Sequence, residues 1–418
     1  MRVEVFKGNP PIPYAESVAP GHPDMVANIA ADHYVDKAIE HSMRIGGKPR
    51  VSLEVTVKAG VEADGENLDV FSPEMQEMVK KHGLVVVTGE VTLPVGVNLP
   101  FKSTIVEGIR AAGYDDPNYP FSPVPETVLV AVNKQSRAIG DEVSRGKASD
   151  QGGIIGFATQ GPRYLPLAVE IAQSLTIRHF ELFKEGRHGI RPDGKAQISL
   201  RQKWVNGRLV PIGIENLTVA VAHSPEMNLK ELQEFLLREQ INPVLDRYNL
   251  QLSEDTQLVI NGFGPWTGFY GPVIDSGAVN RKIIAQTYGL AARHGGGGLS
   301  GKDPTKIDRS GAMFARNIAL SLVAGGLVNT CEVMVTYSMG HPKPHIIRIN
   351  TLGSNKPGWS DEKIIKLVEE KFSWTVPEMI ERLKLWQPIY KRTNFDGVFG
   401  ESDYPWEQPT ELVRRKEL

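Results

Sequence analysis

Apolar positions along this chain follow two rhythms, alternation every second residue and recurrence every three to four, and the two succeed one another three times. Alternation over residues 51–57, 196–204 and 332–337 predicts strands with one buried face. A second strand is expected at 84–93, 217–222 and 346–349. Helical spacing then marks 104–112, the stretch from Leu229 through Phe235, Leu236 and Ile241, and 361–372. This order predicts an α+β chain of three similar domains, each a β-sheet covered by helices, in a pseudo-threefold arrangement. The domains are expected at 10–135, 148–270 and 271–410, with chain crossings between them. Polar residues 137–149 and glycine-rich 262–271 are the candidate junctions. The first has little to bury and the makings of a mobile lid.

Composition narrows the function classes. A chain of 418 residues, 41% hydrophobic, exceeds what one core supports and agrees with two or three domains. A formal net charge of -2 offers no global attraction for nucleic acid or an acidic membrane, so an anion site must be a local gathering of cations. Sparse aromatics, 7%, speak equally against a nucleic-acid stripe. The single cysteine, Cys331, forms no intrachain disulfide, and residues 1–7 lack a signal peptide's apolar core, which together point to the cytoplasm. The longest apolar stretch, 317–328, is too short and glycine-interrupted to span a bilayer and reads as a core helix.

The candidate chemistry centres on 294–310, where His294 and four glycines precede Lys302, Asp303, Lys306 and Asp308 just ahead of an apolar helix. Glycine allows close backbone approach, the helix start favours an anion, lysines add charge, and Asp308 is a hard oxygen ligand suited to Mg²⁺. By pattern alone, a loop or linker remains an alternative. Gly21-His22-Pro23-Asp24 opens a second helix, where His22 and Asp24 either face an anion or simply cap the helix. Arg191-Pro192-Asp193-Gly194-Lys195 is placed just before a strand, and Arg281-Lys282 follows the turn at Asp275. Either is equally readable as a solvated surface turn. Asp150 precedes the apolar 154–157, so a carboxylate is expected to enter buried ground and need a partner. Glu54 and Glu90 sit inside apolar strands, either on the polar face or binding a cation.

Taken together these motifs resemble the methionine adenosyltransferase, or S-adenosylmethionine synthetase, family over nearly the whole chain. The resemblance rests on 17–24, 134–136, 150–152, 191–195, 281–284, the glycine-lysine loop and 388–390. It implies a homodimer with active sites shared between subunits, a homotetramer by pairing, and two Mg²⁺ and one K⁺ as cofactors. It also implies attack of the L-methionine sulfur on C5′ of ATP, followed by hydrolysis of the released triphosphate to phosphate and diphosphate. Carried over by motif, His22, Lys195, Arg281 and Lys302 would be catalytic. Asp193, Gly194, Lys282, Gly298 and Lys306 would join them around ATP. Glu90, Gln135, Asp150 and Asp275, with Lys306, would bind methionine. Asp24 and Asp308 would hold Mg²⁺, and Glu54 would hold K⁺.

Three departures stand out. Met25 replaces a lysine usual in the family, 261–270 is rewritten so that Trp266 or Phe269 would replace the family's substrate-packing aromatic, and 60–81 reads as a surface insertion. Other Mg-dependent nucleotide-binding ATPases are the alternative. A P-loop enzyme fits poorly, because the Gly-x-x-x-x-Gly-Lys-Ser/Thr spacing is missing and 287–293 reads as helix or loop rather than a buried strand. A non-enzymatic polyanion-binding module is the third reading.

Overall fold

The computed structural model describes residues 13–60, 68, 70–205, 208–372 and 374–412. Residues 1–7, read above for a signal peptide, and residues 61–67 and 69 of the expected insertion lie outside the described residues.

In chain order the first part comprises β1 (Tyr14–Val18), α1 (Pro23–Arg44), β2 (Arg50–Lys58), α2 (Pro73–His82), β3 (Leu84–Thr92), α3 (Phe101–Ala111), β4 (Val128–Asn133) and α4 (Arg137–Ser144). There follow β5 (Gly152–Thr159), α5 (Leu167–Lys184), β6 (Ile190–Val205), β7 (Arg208–His223), α6 (Leu229–Leu236), α7 (Asn242–Arg247) and β8 (Gln257–Ile260). The last part holds β9 (Gly277–Ala278), α8 (Ile283–Gln286), α9 (Ile307–Ala324), β10 (Thr330–Tyr337), β11 (Ile346–Asn350), α10 (Asp361–Lys371), α11 (Val376–Arg382) and α12 (Thr393–Asp396).

Local chemistry sets several of these boundaries. Asn228 with Glu231, and Thr375 with Glu378, form reciprocal capping boxes that start α6 and α11. Ser72 and Ser360 cap α2 and α10 through their hydroxyls. In the region of the expected insertion, α2 buries only Val79 and Leu68 is tucked in before it, while the rest of the described part is half-buried or exposed. Residues 137–144 of the expected lid are helical.

Three sheets are present among the described residues, ordered β1-β6-β7-β8, β11-β10-β5 and β4-β3-β2-β9. Each recruits a strand remote in sequence. β1 pairs with β6, β5 with β10, and β9 with β2, all antiparallel. One continuous apolar cluster runs from α1, β2 and β3 through β5, α9 and β10, and a second lies between α5, α6 and the β6-β7 hairpin. The apolar stretch at 317–328 is indeed core, since α9 is buried from Arg309 to Val323. No described helix is long and apolar enough to cross a membrane.

The position of the motifs follows from the strand exchange. β9 lies against Thr56 and Val57 of β2, while Lys302 bridges to Ser52 of the same strand. Between them Leu53 N–H donates to the Gly301 carbonyl, and Val279 N–H to the Val55 carbonyl. Two loops distant in sequence are therefore stitched along one edge of β2, spaced by about 13 Å of strand.

Candidate active site

His22 caps α1 through Nδ1, which accepts the Asp24 N–H at 3.2 Å. With Nδ1 used as acceptor, the neutral ring carries its proton on Nε2 and presents it as a donor. Burial, then Lys195 and Lys282, push the ring's pKa down to about 3, against the opposing pull of Asp24 and Asp275. His22 is thus an uncharged donor within an electropositive cluster. Gly21 is required here, because a Cβ would lie 2.4 Å from the Pro192 carbonyl carbon.

Asp24 organises the neighbouring cations. Its Oδ2 accepts Lys282 Nζ at 2.6 Å, its Oδ1 accepts the Ala278 N–H at 3.0 Å, and Arg281 Nη1 stands 3.4 Å from Oδ1. Burial pushes this carboxyl up, but the Lys282 and Ala278 hydrogen bonds outweigh it and hold the pKa below the usual range. Lys195 sits on β6 opposite Val18 of β1. The motif from Arg191 to Lys195 belongs to the strand rather than to a loop before it, at the register break between Ile190 and Gly194 of β6. This corrects the sequence reading. The break arises where Asp193 turns inward to accept the Gly271 N–H at 2.8 Å. Burial pushes the Asp193 carboxyl up to about 7, opposed by that hydrogen bond and by Lys195.

The glycine-lysine loop is held from beneath. Asn280 Oδ1 accepts the N–H groups of Leu299 and Ser300, both at 2.8 Å, while its Nδ2 donates to the Ser300 carbonyl. Asn280 does this from the left-handed region, at φ 64°. Asp32, buried in α1, accepts Gly301 N–H at 2.8 Å and pairs with Arg309 at 2.6 Å, and Arg309 in turn donates to the Lys302 carbonyl. Lys302 Nζ reaches Asp308 Oδ2 at 2.5 Å, and Lys306 lies 3.7 Å from Asp303. Glu54 stands on the open face of β2; partial burial holds its carboxyl pKa above the usual value, against the opposing pull of Lys302.

Of the remaining candidates, Glu90, Gln135 and Asp150 make no bond to these pairs among the described residues, whereas Asp275 acts on His22 electrostatically and Gly298 belongs to the loop. Glu90 is opposite Ser52 and Asn133, and Gln135 donates its N–H to Thr92 Oγ1 at 3.0 Å. Asp275 is exposed and accepts the Ser276 N–H. Asp150 does not enter buried ground as expected. It stays exposed and accepts the Gln151 N–H, while Ser149 takes the buried place. Gly298 packs directly on Asn280, where an added Cβ would meet Nδ2 at 2.6 Å. Among the described residues no hydrogen bond or ion pair joins Glu90, Gln135 or Asp150 to the His22–Lys195 group.

Residues 145–266 match the model of the S-adenosylmethionine synthetase central domain, and residues 269–408 match that of the S-adenosylmethionine synthetase C-terminal domain. The chain belongs to the S-adenosylmethionine synthetase family. It is an enzyme, a methionine adenosyltransferase, and ATP and methionine are the substrates its family implies.

The donor set bears on the ions that S-adenosylmethionine synthetases generally use. No group of three or more His, Cys, Asp or Glu side chains is poised to cage a metal among the described residues. Asp24 and Asp308 are instead single carboxylates beside lysines. This fits Mg²⁺, which commonly takes one or two carboxylates and completes its shell with substrate phosphates and water.

Two departures of this synthetase acquire structural accounts. Met25 is buried at 4% exposure, so its side chain packs in the core rather than standing in for a phosphate-facing lysine. In the rewritten segment Trp266 is fastened to His223 through both backbone polar groups, and its indole N–H donates to the Phe269 carbonyl. The Phe269 ring remains 62% exposed. Sequence reasoning missed Asn280, Asp32 and Arg309, which position the loop. The one available signal was polar Asn28 and Asp32 recurring at helical spacing on the apolar face of α1.

Proposed function

We propose that this enzyme joins L-methionine to ATP on the edge of β2. A methionine sulfur lone pair attacks C5′, the C5′–O bond breaks, and its electrons leave with triphosphate. The observation that carries this is the two carboxylate–lysine pairs, Asp24–Lys282 and Asp308–Lys302, whose lysine-bearing segments are fastened along one strand edge. A thioether has no proton to lose, so no general base is needed, and rate comes from alignment and from stabilising the departing charge.

In this reading His22 Nε2–H and Lys195 meet the oxygen that leaves C5′. Arg281, Lys282 and Lys302 grip the phosphates, with Lys306 reaching them or methionine. Gly298 and Gly194 allow close approach to the nucleotide. Asp193 contributes from behind by fixing the backbone at Gly271. Exposed Phe269, backed by Trp266, packs on the substrate. Asp24 and Asp308 hold Mg²⁺, which when bound offsets phosphate charge, and Glu54 holds K⁺. Glu90, Gln135, Asp150 and Asp275 receive the methionine amino and carboxylate groups and favour the sulfonium.

Because Glu90 and Gln135 lie apart from the His22 group, the reading includes a homodimer whose two copies complete each other's sites, and a homotetramer by pairing. Its setting is the cytoplasm, and its three domains span 10–135, 148–270 and 271–410. Water then cuts the tightly held triphosphate into phosphate and diphosphate, which are smaller anions with a weaker hold on the cations.

Incubation with ATP, L-methionine, Mg²⁺ and K⁺ tests the proposal. S-adenosylmethionine, phosphate and diphosphate are expected in equal amounts. Phosphate released equally well without methionine would instead make the chain a simple Mg-dependent ATPase.

A further inference from the structure

A cavity of ≈ 670 Å³ opens between the end of α1, α4 and α11; neither His22 nor Lys195 lines it, and Thr305 brings it up to the foot of the glycine-lysine loop. Lys48, Arg50 and Lys384 line it with a single carboxylate, Glu381. No ion pair engages these three cations among the described residues. Lys48 Nζ rests 5.4 Å from the centre of the Trp386 ring, and Arg50 Nη2 touches Ser144 Oγ of α4 at 3.4 Å. The apolar wall is Val376 and Ile380, both buried. One further feature points to a ligand: the Thr305 hydroxyl on the lining is buried without a partner among the described residues.

We infer that this cavity is a second ligand site, taking a phosphate-bearing aromatic molecule of mononucleotide size. Three cations against one carboxylate call for a multiply charged anion. Trp386 is partly buried against the apolar core, and its ring, which already takes the Lys48 ammonium, offers a stacking surface for a planar group. The volume lies within the roughly 300–1,000 Å³ usual for small-molecule pockets. Arg50 also donates to Ser144 of α4, so an occupant held by Arg50 would sit against this helix. The inference does not depend on the proposed reaction.

Calorimetric titration of the full chain with adenosine monophosphate, and separately with inorganic phosphate, tests it. Lys195→Met with Lys302→Met removes competing phosphate contacts at the proposed catalytic site, and adenosine monophosphate binding is expected to persist there. Adding Lys48→Ala and Lys384→Ala should weaken it by about tenfold or more, the scale of a lost charge-assisted contact. Trp386→Leu should weaken adenosine monophosphate but leave inorganic phosphate unchanged. Should the double alanine change not fold, Lys384→Gln alone carries the comparison. Loss of all binding in the Lys195→Met, Lys302→Met background, indifference to the Lys48 and Lys384 changes, or equal affinity for the two probes would each overturn the assignment.

Discussion

Asn280 illustrates how much of the candidate site rests on a side chain that touches no substrate. Its one oxygen satisfies two backbone N–H groups of the glycine-lysine loop, and its own backbone N–H is taken by Asn28 of α1. Asn280→Ala leaves both donors without their acceptor, at about 1–3 kcal/mol for a buried group. The expected outcome is a lower melting temperature and a KM for ATP raised several-fold, whereas Asn280→Asp, which keeps the acceptor, retains most of the affinity. Steady-state kinetics with thermal melts checks this, and equal behaviour of the two variants would contradict it.

Asp36 gives a pH prediction at the same scale. Burial pushes its carboxyl up to about 7, against the hydrogen bonds from Lys391 and Tyr390 N–H. Between an unfolded value near 4 and about 7 the folded chain keeps a proton that the unfolded chain has released, so this group lowers stability as pH rises through that window. Asp36→Asn should flatten the fall in melting temperature between pH 5 and pH 8; an unchanged slope would remove Asp36 from the account.

Among the elements, legibility in the sequence was uneven for physical reasons. The strand and helix cores at β2, β3, α3, β10 and α10 showed themselves by period, since each buries residues along one face, and β11 did so by alternating half-buried with exposed positions. Strand exchange left no such mark, because pairing β1 with β6 or β9 with β2 depends on partners more than a hundred residues away. The Arg191 to Lys195 motif misled because its polar composition mimics a turn, while an inward Asp193 is paid for by a backbone donor from another segment. Gly295 of the glycine-lysine loop and Gly153 of β5 divide likewise by environment. A Cβ on Gly295 would stand 2.1 Å from the Gly153 carbonyl oxygen, whereas one on Gly153 itself meets nothing within 4 Å. Gly295→Ala is therefore expected to cost about 1–3 kcal/mol by overpacking and to lower kcat/KM. Gly153→Ala should stay within about 0.5 kcal/mol. Chemical denaturation of both variants decides the matter.

For the whole molecule, the three-sheet plan and the family were readable from ordered motifs, but which motifs meet within one chain was not, because distances between strands are not written in spacing. The proposed sharing of sites between subunits makes a specific prediction. Lys195→Met and Glu90→Gln, each expected to be nearly inactive alone, fall on opposite sides of a shared site. Co-expressed with different tags and isolated as a mixed dimer, they should recover a substantial fraction of activity from the one site that is fully wild type. No recovery in a purified mixed dimer would place Glu90 and Lys195 in the same site of one chain.

The central claim is that dispersed cations converge on one triphosphate. Calorimetric affinity for inorganic triphosphate with Mg²⁺, in the unaltered enzyme and in Lys195→Met, Lys282→Met and Lys302→Met, tests this most directly. The account predicts about a tenfold or greater loss for each change, steeper at low salt, with the melting temperature little altered in Lys195→Met and lowered in Lys282→Met, which leaves the buried Asp24 carboxylate without its nearest cation. Undiminished binding in all three would contradict it.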